Sequence, residues 1–308
     1  MWLPVSGCGP DCLRGDAPRR AGPVRRAVRV TGLVAAVAGS AALLPILPLL
    51  PAAWRARALR GCARAVLGSL GIRIRLRGRF PRARALVVAN HVSWLDIVVL
   101  LAVGRSRLVA KSEVRDWPLV GRLAIRLGTV FLDRNRPRTL PAAVGEVRAA
   151  LSAGAVVAVF PEGTTSCGEG AGAFRPAFFQ AAVDSGVPVV PLTLRFEAAG
   201  VPTAQPAFIG AESLLDSLGR ILRMRGLTVR ASVGTAIHPG AAACRRSLAR
   251  IAGTAVGCLP RPTPALPPRL APTPTRPLPL APPPLPAPVP TPLAPVLPLH
   301  TPARRRAA

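Results

Sequence analysis

Runs of apolar residues typical of buried strands alternate along this chain with stretches of helical periodicity. Strands are predicted at 71–79, 85–90, 106–110, 129–132, 155–160, 187–195 and 227–234. Helices are predicted at 94–103, 114–127, 140–153, 174–185 and 211–225. This alternation is typical of an α/β domain with a largely parallel sheet flanked by helices. In such a domain, functional groups gather where strands end and loops enter helices.

An uncharged segment, 30–54, precedes the strands. It is long enough to cross a bilayer once, but Pro45, Pro48 and Pro51 interrupt its second half. The uninterrupted helical part, 30–44, is too short to span a membrane alone. The pattern therefore favours a bent span or a shallow membrane hairpin at the N-terminus.

The second arm of this hairpin is predicted at 52–70. On a helical wheel, Arg57, Arg60 and Arg64 group on one side. The other side carries apolar side chains, namely Trp54, Ala58, Cys62, Val66 and Leu70. The pattern fits an interfacial amphipathic helix whose arginines meet lipid phosphates, and it fits an ordinary surface helix packed on the domain core equally well.

Composition divides the chain into four parts. We predict a disordered leader at 1–27, a membrane-anchoring helical segment at 28–70, an α/β domain at 71–257 and a disordered tail at 258–308. The leader is rich in Gly, Pro and Arg, whereas the tail is rich in Pro and contains no acidic residue. Because proline lacks an N–H donor and restricts φ, the tail is expected to be extended and solvated.

The formal net charge of +28 is compatible with a nucleic-acid partner. However, the basic residues are scattered, Lys111 is the sole lysine, and tyrosine is absent. Aromatic residues, on which bases could stack, make up 4% of the chain. Attraction to anionic lipid headgroups explains the charge at least as well, so we expect membrane lipids and no nucleic acid as partners.

The six cysteines do not predict a metal site. Cys8 and Cys12 form a C-x-x-x-C pair in the leader, and neither a second pair nor a histidine cluster completes a zinc-binding pattern. We therefore expect no metal, and reduced thiols of the kind found on a cytosolic face.

The strongest candidate for chemistry is an H-x-x-x-x-D element at the end of the strand predicted at 85–90. His91 follows the strand and Asp96 lies in the first turn of the next helix. A carboxylate that holds one ring nitrogen of a histidine leaves the other nitrogen available as a base. Taken alone, the spacing also fits a helix-capping aspartate beside a solvated histidine.

Two further strand ends carry polar groups. Asp133 and Arg134 follow the strand at 129–132, and an arginine there suits bidentate phosphate binding or a surface pair with Asp133. The strand at 155–160 leads into Glu162, Gly163 and Thr164. This turn could hold phosphate oxygens and a glycerol hydroxyl, or could be an ordinary turn capped by hydroxyls.

The strand predicted at 187–195 contains Pro191, a residue that more often marks a sheet edge than a functional site.

Four segments together, in order and spacing, resemble the glycerolipid acyltransferase family that converts lysophosphatidic acid to phosphatidic acid. The segments are 90–96, 128–134, 160–164 and 187–191, and the resemblance covers roughly residues 65–235. It implies direct acyl transfer without a covalent acyl-enzyme. His91 is then the base that takes the proton of the acceptor hydroxyl, and Asp96 holds its imidazole in the required tautomer.

The resemblance also implies the substrate contacts. Arg134 binds the acceptor phosphate, while Glu162, Gly163 and Thr164 shape the glycerol-phosphate site. Lys111, just beyond a strand end, is a candidate for a second phosphate contact. The segment 174–178 departs from the family pattern, in which many relatives have a lysine and a glycine, so the resemblance leaves a phosphate-binding role of Arg175 open.

The resulting hypothesis is a 1-acylglycerol-3-phosphate O-acyltransferase at the cell membrane, with its active site on the cytoplasmic side. The partners are a lysophospholipid acceptor and an acyl thioester, which is acyl-CoA or acyl-carrier protein as co-substrate, with no bound cofactor. One alternative is another lyso-lipid acceptor, such as lyso-ornithine lipid. A second alternative, from another class, is a non-catalytic basic protein that binds membranes or nucleic acid.

Overall fold

The computed structural model describes residues 6–13, 20–168 and 172–257. The predicted tail at 258–308 and parts of the predicted leader lie outside them. The helices are α1 (Pro23–Leu43), α2 (Ala52–Ser69), α3 (Leu95–Val103), α4 (Val120–Arg126), α5 (Leu140–Ser152), α6 (Phe179–Ser185), α7 (Leu214–Arg223) and α8 (Arg245–Val256). The strands are β1 (Arg73–Arg77), β2 (Ala85–Ala89), β3 (Arg107–Lys111), β4 (Val130–Leu132), β5 (Val156–Val159), β6 (Val189–Ala198), β7 (Val201–Pro202) and β8 (Leu227–Val233).

The strands form one sheet in the order β1-β8-β6-β2-β5-β3-β4, with β7 paired to β6. The pairs β1–β8, β2–β6, β2–β5, β3–β5 and β3–β4 are parallel. The pairs β6–β8 and β6–β7 are antiparallel. The predicted α/β class with a largely parallel sheet is therefore confirmed. The parallel strands β2, β3, β4 and β5 deliver their carboxyl ends to the same edge of the sheet.

Alternating side chains of β2 serve two separate cores, one on each face of the sheet. Leu86 and Val88 lie in a core with buried residues of α5, α6 and α8. Val87 and Ala89 lie in the opposite core, with α2, α3 and α7. Since all five residues of β2 are buried, this strand sits at the centre of the domain, and the loop that follows it starts from a rigid position.

The N-terminal helices α1 and α2 pack against each other as a hairpin. In the described part of the chain, α1 alone is long and apolar enough to cross a membrane, judged by length and composition. Its valines project outward, since Val24, Val28 and Val34 are 76%, 66% and 63% exposed. Little of this apolar surface is covered by protein, which is compatible with contact to lipid.

Helix α2 packs on the domain core through a face that includes part of the predicted apolar side, since Val66 packs against the core and Leu70 at the end of the helix is buried. Ala63, Leu67 and Leu70 are buried, whereas Trp54 is 62% exposed. Arg64 donates from Nε to the carbonyl of Ala102 in α3 at 3.2 Å. The C-terminal half of α2 is thus a surface helix packed on the core, and its N-terminal half leaves Trp54 outside.

Three predicted elements differ from the structure near prolines. The helix predicted at 114–127 is broken at Pro118, so that a 3₁₀ turn at Ser112–Asp116 precedes α4. The helix predicted at 174–185 starts only at Phe179, beyond Pro176. Pro191 lies inside β6, between β2 and β8, so its interpretation as an edge marker is wrong. The ladder to β8 starts at Leu192, and the Pro191 carbonyl accepts from Gly234 N at 2.8 Å.

Helix α8 was not predicted. Its buried residues Leu248, Ala252 and Val256 recur every four positions and pack beneath the sheet. That i, i+4, i+8 spacing is a helical pattern, so the sequence did contain the signal.

Candidate active site

His91 and Asp96 meet at the carboxyl end of β2. The His91 Nδ1 atom lies 2.9 Å from Oδ2 of Asp96. The same Oδ2 accepts the backbone N–H groups of Val92 at 2.6 Å and Ser93 at 2.8 Å. Asp96 is fully buried, whereas the His91 side chain is 16% exposed. A proton on Nδ1 shared with Asp96 leaves Nε2 as an acceptor, so the pair presents a base held by a buried carboxylate.

The imidazole ring of His91 stacks on Phe160, the residue that follows β5. The two ring centroids are 4.1 Å apart with an interplanar angle of 17°. Together with the Asp96 contact, this stacking restricts rotation of the histidine ring. The proposed base and the aromatic ring that stacks on it therefore follow two neighbouring strands, β2 and β5.

Glu162 anchors the backbone of His91. Its Oε1 accepts the His91 main-chain N–H at 2.7 Å, and the side chain is 5% exposed. Burial raises the pKa of Glu162 to about 7, against the opposing effect of hydrogen bonds from His91 N–H, the Ser166 hydroxyl and Gly172 N–H. The nearby charge of Asp96 contributes to raising the pKa.

The loop after Glu162 contacts the main-chain carbonyl group of His91. Gly163 has φ +77°, a conformation that glycine adopts readily, and its N–H donates to the Phe160 carbonyl at 3.1 Å. Thr164 is half-buried. Ser166 N–H donates to the His91 carbonyl at 2.8 Å. The main chain of His91 is therefore held at both its nitrogen and its oxygen by this loop.

Arg134 follows β4 on the same edge of the sheet, two strands from β5. Burial lowers its pKa, the negative charge of Glu113 raises it, and the positive charge of Arg175 lowers it further. Arg175 donates its backbone N–H to the Pro161 carbonyl at 2.9 Å, so it connects the Glu162 loop to the side of the site where Arg134 lies. Two guanidinium groups that repel each other favour binding of an anion between them.

Asp133 contacts neighbours on its own loop. It accepts the Asn135 N–H at 2.9 Å and lies 3.6 Å from Nε of Arg136.

Lys111 is exposed at the end of β3 and lies opposite Leu132 in the register with β4. Its ammonium group therefore belongs to the same edge of the sheet as Arg134. The structure brings the predicted residues of four strand ends to this edge, with His91, Asp96 and Glu162 in direct contact. The catalytic and binding roles of these residues stay predictions.

Asn90 has a structural role that sequence reasoning missed. Its side-chain amide donates to the Leu194 carbonyl at 2.9 Å, and its side-chain oxygen accepts the Leu194 N–H at 2.8 Å. Asn90 thus extends the pairing of β2 with β6 by one residue, immediately before His91. The available signal was a buried-strand pattern ending in an amide side chain.

The fold also brings together three cysteines that are far apart in sequence. Cys8 and Cys12 meet Cys167, which follows Ser166 in the active-site loop, and their sulfurs lie within 4.8 Å of one another. The local cysteine spacing predicts no metal site, because the third thiol lies more than a hundred residues away along the chain.

A base at the edge of a largely parallel sheet, with Arg134 and Arg175 near each other at the same edge, is suited to an enzyme that activates a hydroxyl group of an anionic substrate. A family model described as Acyltransferase matches residues 71–195, which include all the predicted site residues. A lyso-ornithine lipid O-acyltransferase of Pseudomonas aeruginosa is 38% identical over 204 residues, covering 64% of this chain and 78% of the relative.

Another similar protein is a 1-acyl-sn-glycerol-3-phosphate acyltransferase of Neisseria meningitidis. It is 38% identical over 179 residues, which cover 57% of this chain and 70% of the relative. The crystal structure of the 1-acyl-sn-glycerophosphate acyltransferase PlsC from Thermotoga maritima superposes with a TM-score of 0.55 at 21% identity. That match covers 75% of this chain and 94% of the crystallised chain and shows a common fold.

The chain therefore belongs to the acyltransferase family, as the resemblance predicted, and it is an O-acyltransferase. Membership in this family sets aside the alternative of a non-catalytic basic protein.

Proposed function

We propose that the chain transfers an acyl group from acyl-CoA or acyl-carrier protein to the 2-hydroxyl of 1-acylglycerol-3-phosphate, giving phosphatidic acid. The observation that carries this proposal is the contact between the buried Asp96 and the partly exposed His91, on the same sheet edge as Arg134. Relatives named for this reaction and for lyso-ornithine lipid acylation support a lyso-lipid acceptor.

The proposed reaction uses His91 as a general base and then as a general acid. Its Nε2 takes the proton of the 2-hydroxyl while the oxygen attacks the thioester carbonyl. The tetrahedral intermediate collapses with cleavage of the carbon–sulfur bond, and the departing thiolate receives the proton from the imidazolium. Asp96 stabilises the imidazolium and keeps Nδ1 protonated, so that Nε2 points its lone pair at the acceptor.

Arg134 is proposed to bind the phosphate of the acceptor. Its partly buried guanidinium lies near the positive charge of Arg175, and a phosphate between them would relieve the repulsion. Lys111 supplies a further, more exposed cation at this edge. Glu162, Gly163 and Thr164 shape the glycerol-phosphate side of the site, with Glu162 acting as a positioning residue through the backbone of His91.

The helical hairpin of α1 and α2 is proposed to hold the domain on the cytoplasmic face of the cell membrane. The exposed valines of α1 and the exposed Trp54 present apolar surface to lipid. Such placement suits both substrates, because the acceptor lies in the leaflet and the thioester is delivered from the cytosol.

Lyso-ornithine lipid is the second candidate acceptor, because the relative named for it matches over 204 residues and the 1-acyl-sn-glycerol-3-phosphate acyltransferase over 179, both at 38% identity. Its headgroup has a carboxylate and an ammonium group in place of a phosphate. A carboxylate can also pair with arginine, so the cations near Arg134 do not by themselves decide between the two acceptors.

The decisive experiment measures acyl transfer to each acceptor by membranes that contain the full chain. Labelled acyl-CoA is supplied in one series and labelled acyl-carrier protein in another. Formation of phosphatidic acid supports the proposal, with His91→Ala membranes as the blank. Exclusive acylation of lyso-ornithine lipid would replace the acceptor and keep the mechanism, whereas equal activity of His91→Ala would overturn the mechanism.

A further inference from the structure

Three thiols converge beside the active-site loop, outside the residues that the proposed reaction uses. Cys8 and Cys12 lie in the N-terminal segment 6–13, in which Pro10–Leu13 forms a 3₁₀ turn. Cys167 follows Ser166 and is 6% exposed. The three sulfur atoms lie within 4.8 Å of one another, although Cys167 is far from Cys8 and Cys12 in the sequence.

The spacing of these sulfurs is compatible with one metal ion held by all three. Zinc–thiolate bonds are about 2.3 Å long, so two sulfurs of a tetrahedral site lie roughly 3.8 Å apart. Bringing sulfurs that are within 4.8 Å of one another to this spacing takes side-chain shifts of about an ångström or less. A disulfide needs sulfurs about 2.05 Å apart and leaves the third thiol unused.

The surroundings also suit thiolate ligands. The backbone N–H of Cys167 donates to Sγ of Cys8 at 3.3 Å, a contact that stabilises negative charge on the sulfur. Cys12 is half-buried and gives the cluster a side toward the surface. The large positive charge of the chain, +28, favours a site that carries net negative charge when three thiolates hold a divalent cation.

We propose that Cys8, Cys12 and Cys167 bind one thiophilic divalent cation of the Zn²⁺ class, with the fourth position open to water or an added ligand. Binding releases the protons of the ligating thiols. Three thiolates are typical of a site for a soft or borderline metal ion. This site is separate from the proposed acyl transfer and does not depend on it.

A bound ion would attach the N-terminal segment 6–13 to the active-site loop that contains Cys167. Ser166, the neighbour of Cys167, donates to the His91 carbonyl, and Gly168 lies against Val92. At the other end of the segment, the Leu13 carbonyl accepts from the Gln205 side chain. The ion would tie segment 6–13 and the loop together and stabilise the folded chain by mass action.

The test uses the full chain in detergent with the remaining cysteines removed. The substitutions Cys62→Ser, Cys244→Ser and Cys258→Ser leave only the three proposed ligands. We expect this protein to bind one Zn²⁺ per chain in a competition titration with a chromogenic chelator. Co²⁺ should give thiolate-to-metal charge-transfer absorption, and Zn²⁺ should protect all three cysteines from alkylation.

Adding Cys167→Ser to this background should weaken Zn²⁺ binding at least about 100-fold, and Cys12→Ser serves as a second variant should the first fail to fold. Unchanged affinity in both variants would overturn the proposal, as would the absence of stoichiometric binding by the folded parent protein. A disulfide among the three cysteines, found by mass spectrometry after rapid thiol trapping, would also overturn it and assign the cluster to redox chemistry.

Discussion

The main-chain nitrogen of His91 donates to the carboxyl group of Glu162 at 2.7 Å. This bond joins the ends of β2 and β5 and orients the residue whose ring stacks on Phe160. Because Glu162 acts on the backbone, it positions His91 without touching the imidazole nitrogen that is proposed to take a proton.

Glu162 makes folding stability depend on pH in an unusual direction. Its pKa is raised from 4.5 to about 7 in the folded chain. The folded state therefore binds more protons than the unfolded state between these values, and stability falls as pH rises from 4.5 to about 7. The contribution over this window is about 3 kcal/mol. Glu162→Gln, which keeps an oxygen to accept the His91 N–H, should flatten the slope in thermal melts of the detergent-solubilised chain.

The control for this prediction is Glu146→Gln, which changes an exposed carboxylate. The control should keep the slope of the unmodified chain. An unaltered slope in Glu162→Gln would show that the pKa of Glu162 is not raised by burial.

Asp96→Asn tests the carboxylate that supports the proposed base. One oxygen, Oδ2, faces Nδ1 of His91 and accepts the N–H groups of Val92 and Ser93, so the amide oxygen takes this place and keeps the orientation of the ring. The amide carries no negative charge, and the imidazolium that forms when Nε2 takes a proton loses its stabilising partner. We expect kcat to fall by about 10²–10⁴-fold, as for His91→Ala, with membrane-bound protein at normal levels. Asp184→Asn, at an exposed residue that contacts Gln180, should retain activity.

Arg134→Ala tests recognition of the phosphate. A lost charge-assisted hydrogen bond costs about 1.5–3 kcal/mol, so kcat/KM for 1-acylglycerol-3-phosphate should fall by about 10–100-fold, chiefly through KM. Arg136→Ala removes a neighbouring arginine that is 79% exposed and should have little effect. An equal loss for both variants would point to the general charge of the surface instead of a specific contact.

Asn90→Ala should lower the free energy of unfolding by more than the loss of a small side chain suggests. The substitution leaves the buried N–H and carbonyl of Leu194 without their partner, at a cost of roughly 2–4 kcal/mol. Chemical unfolding in detergent measures the change, and Asn135→Ala, at an exposed residue, is the matched control. A cost below about 1 kcal/mol would mean that water replaces the lost side chain.

Hydrophobic patterning was sufficient to predict the α/β class and most strands because each buried strand carries its own local signal. The spacing of His91 and Asp96 was likewise local, spanning a single turn between β2 and α3. Strand direction has no such signal. The apolar runs of β6 and β8 read alike whether the pair is parallel or antiparallel, so the antiparallel pairing was not predicted.

The contacts that sequence reasoning missed join distant parts of the chain. The Asn90–Leu194 pair depends on which strand lies beside β2, and the approach of Cys167 to Cys8 depends on where the N-terminal segment docks. The buried face of α2 was predicted only in part. Val66 and Leu70 contact the core as expected, whereas Ala63 and Leu67 were missed because larger apolar residues such as Trp54 dominate the helical wheel.

The place of β1 in the sheet has a consequence for biosynthesis. β1 follows directly on α2, yet its partner in the sheet is β8, with Arg73 opposite Thr228. At about 5–20 residues per second, a ribosome needs on the order of ten seconds to deliver that partner. During this interval α1, α2 and β1 have already emerged from the ribosome, and β1 has an edge without its partner strand. Under the proposed anchoring to the membrane, early capture of the hairpin by lipid would keep that edge away from other nascent chains until β8 is made.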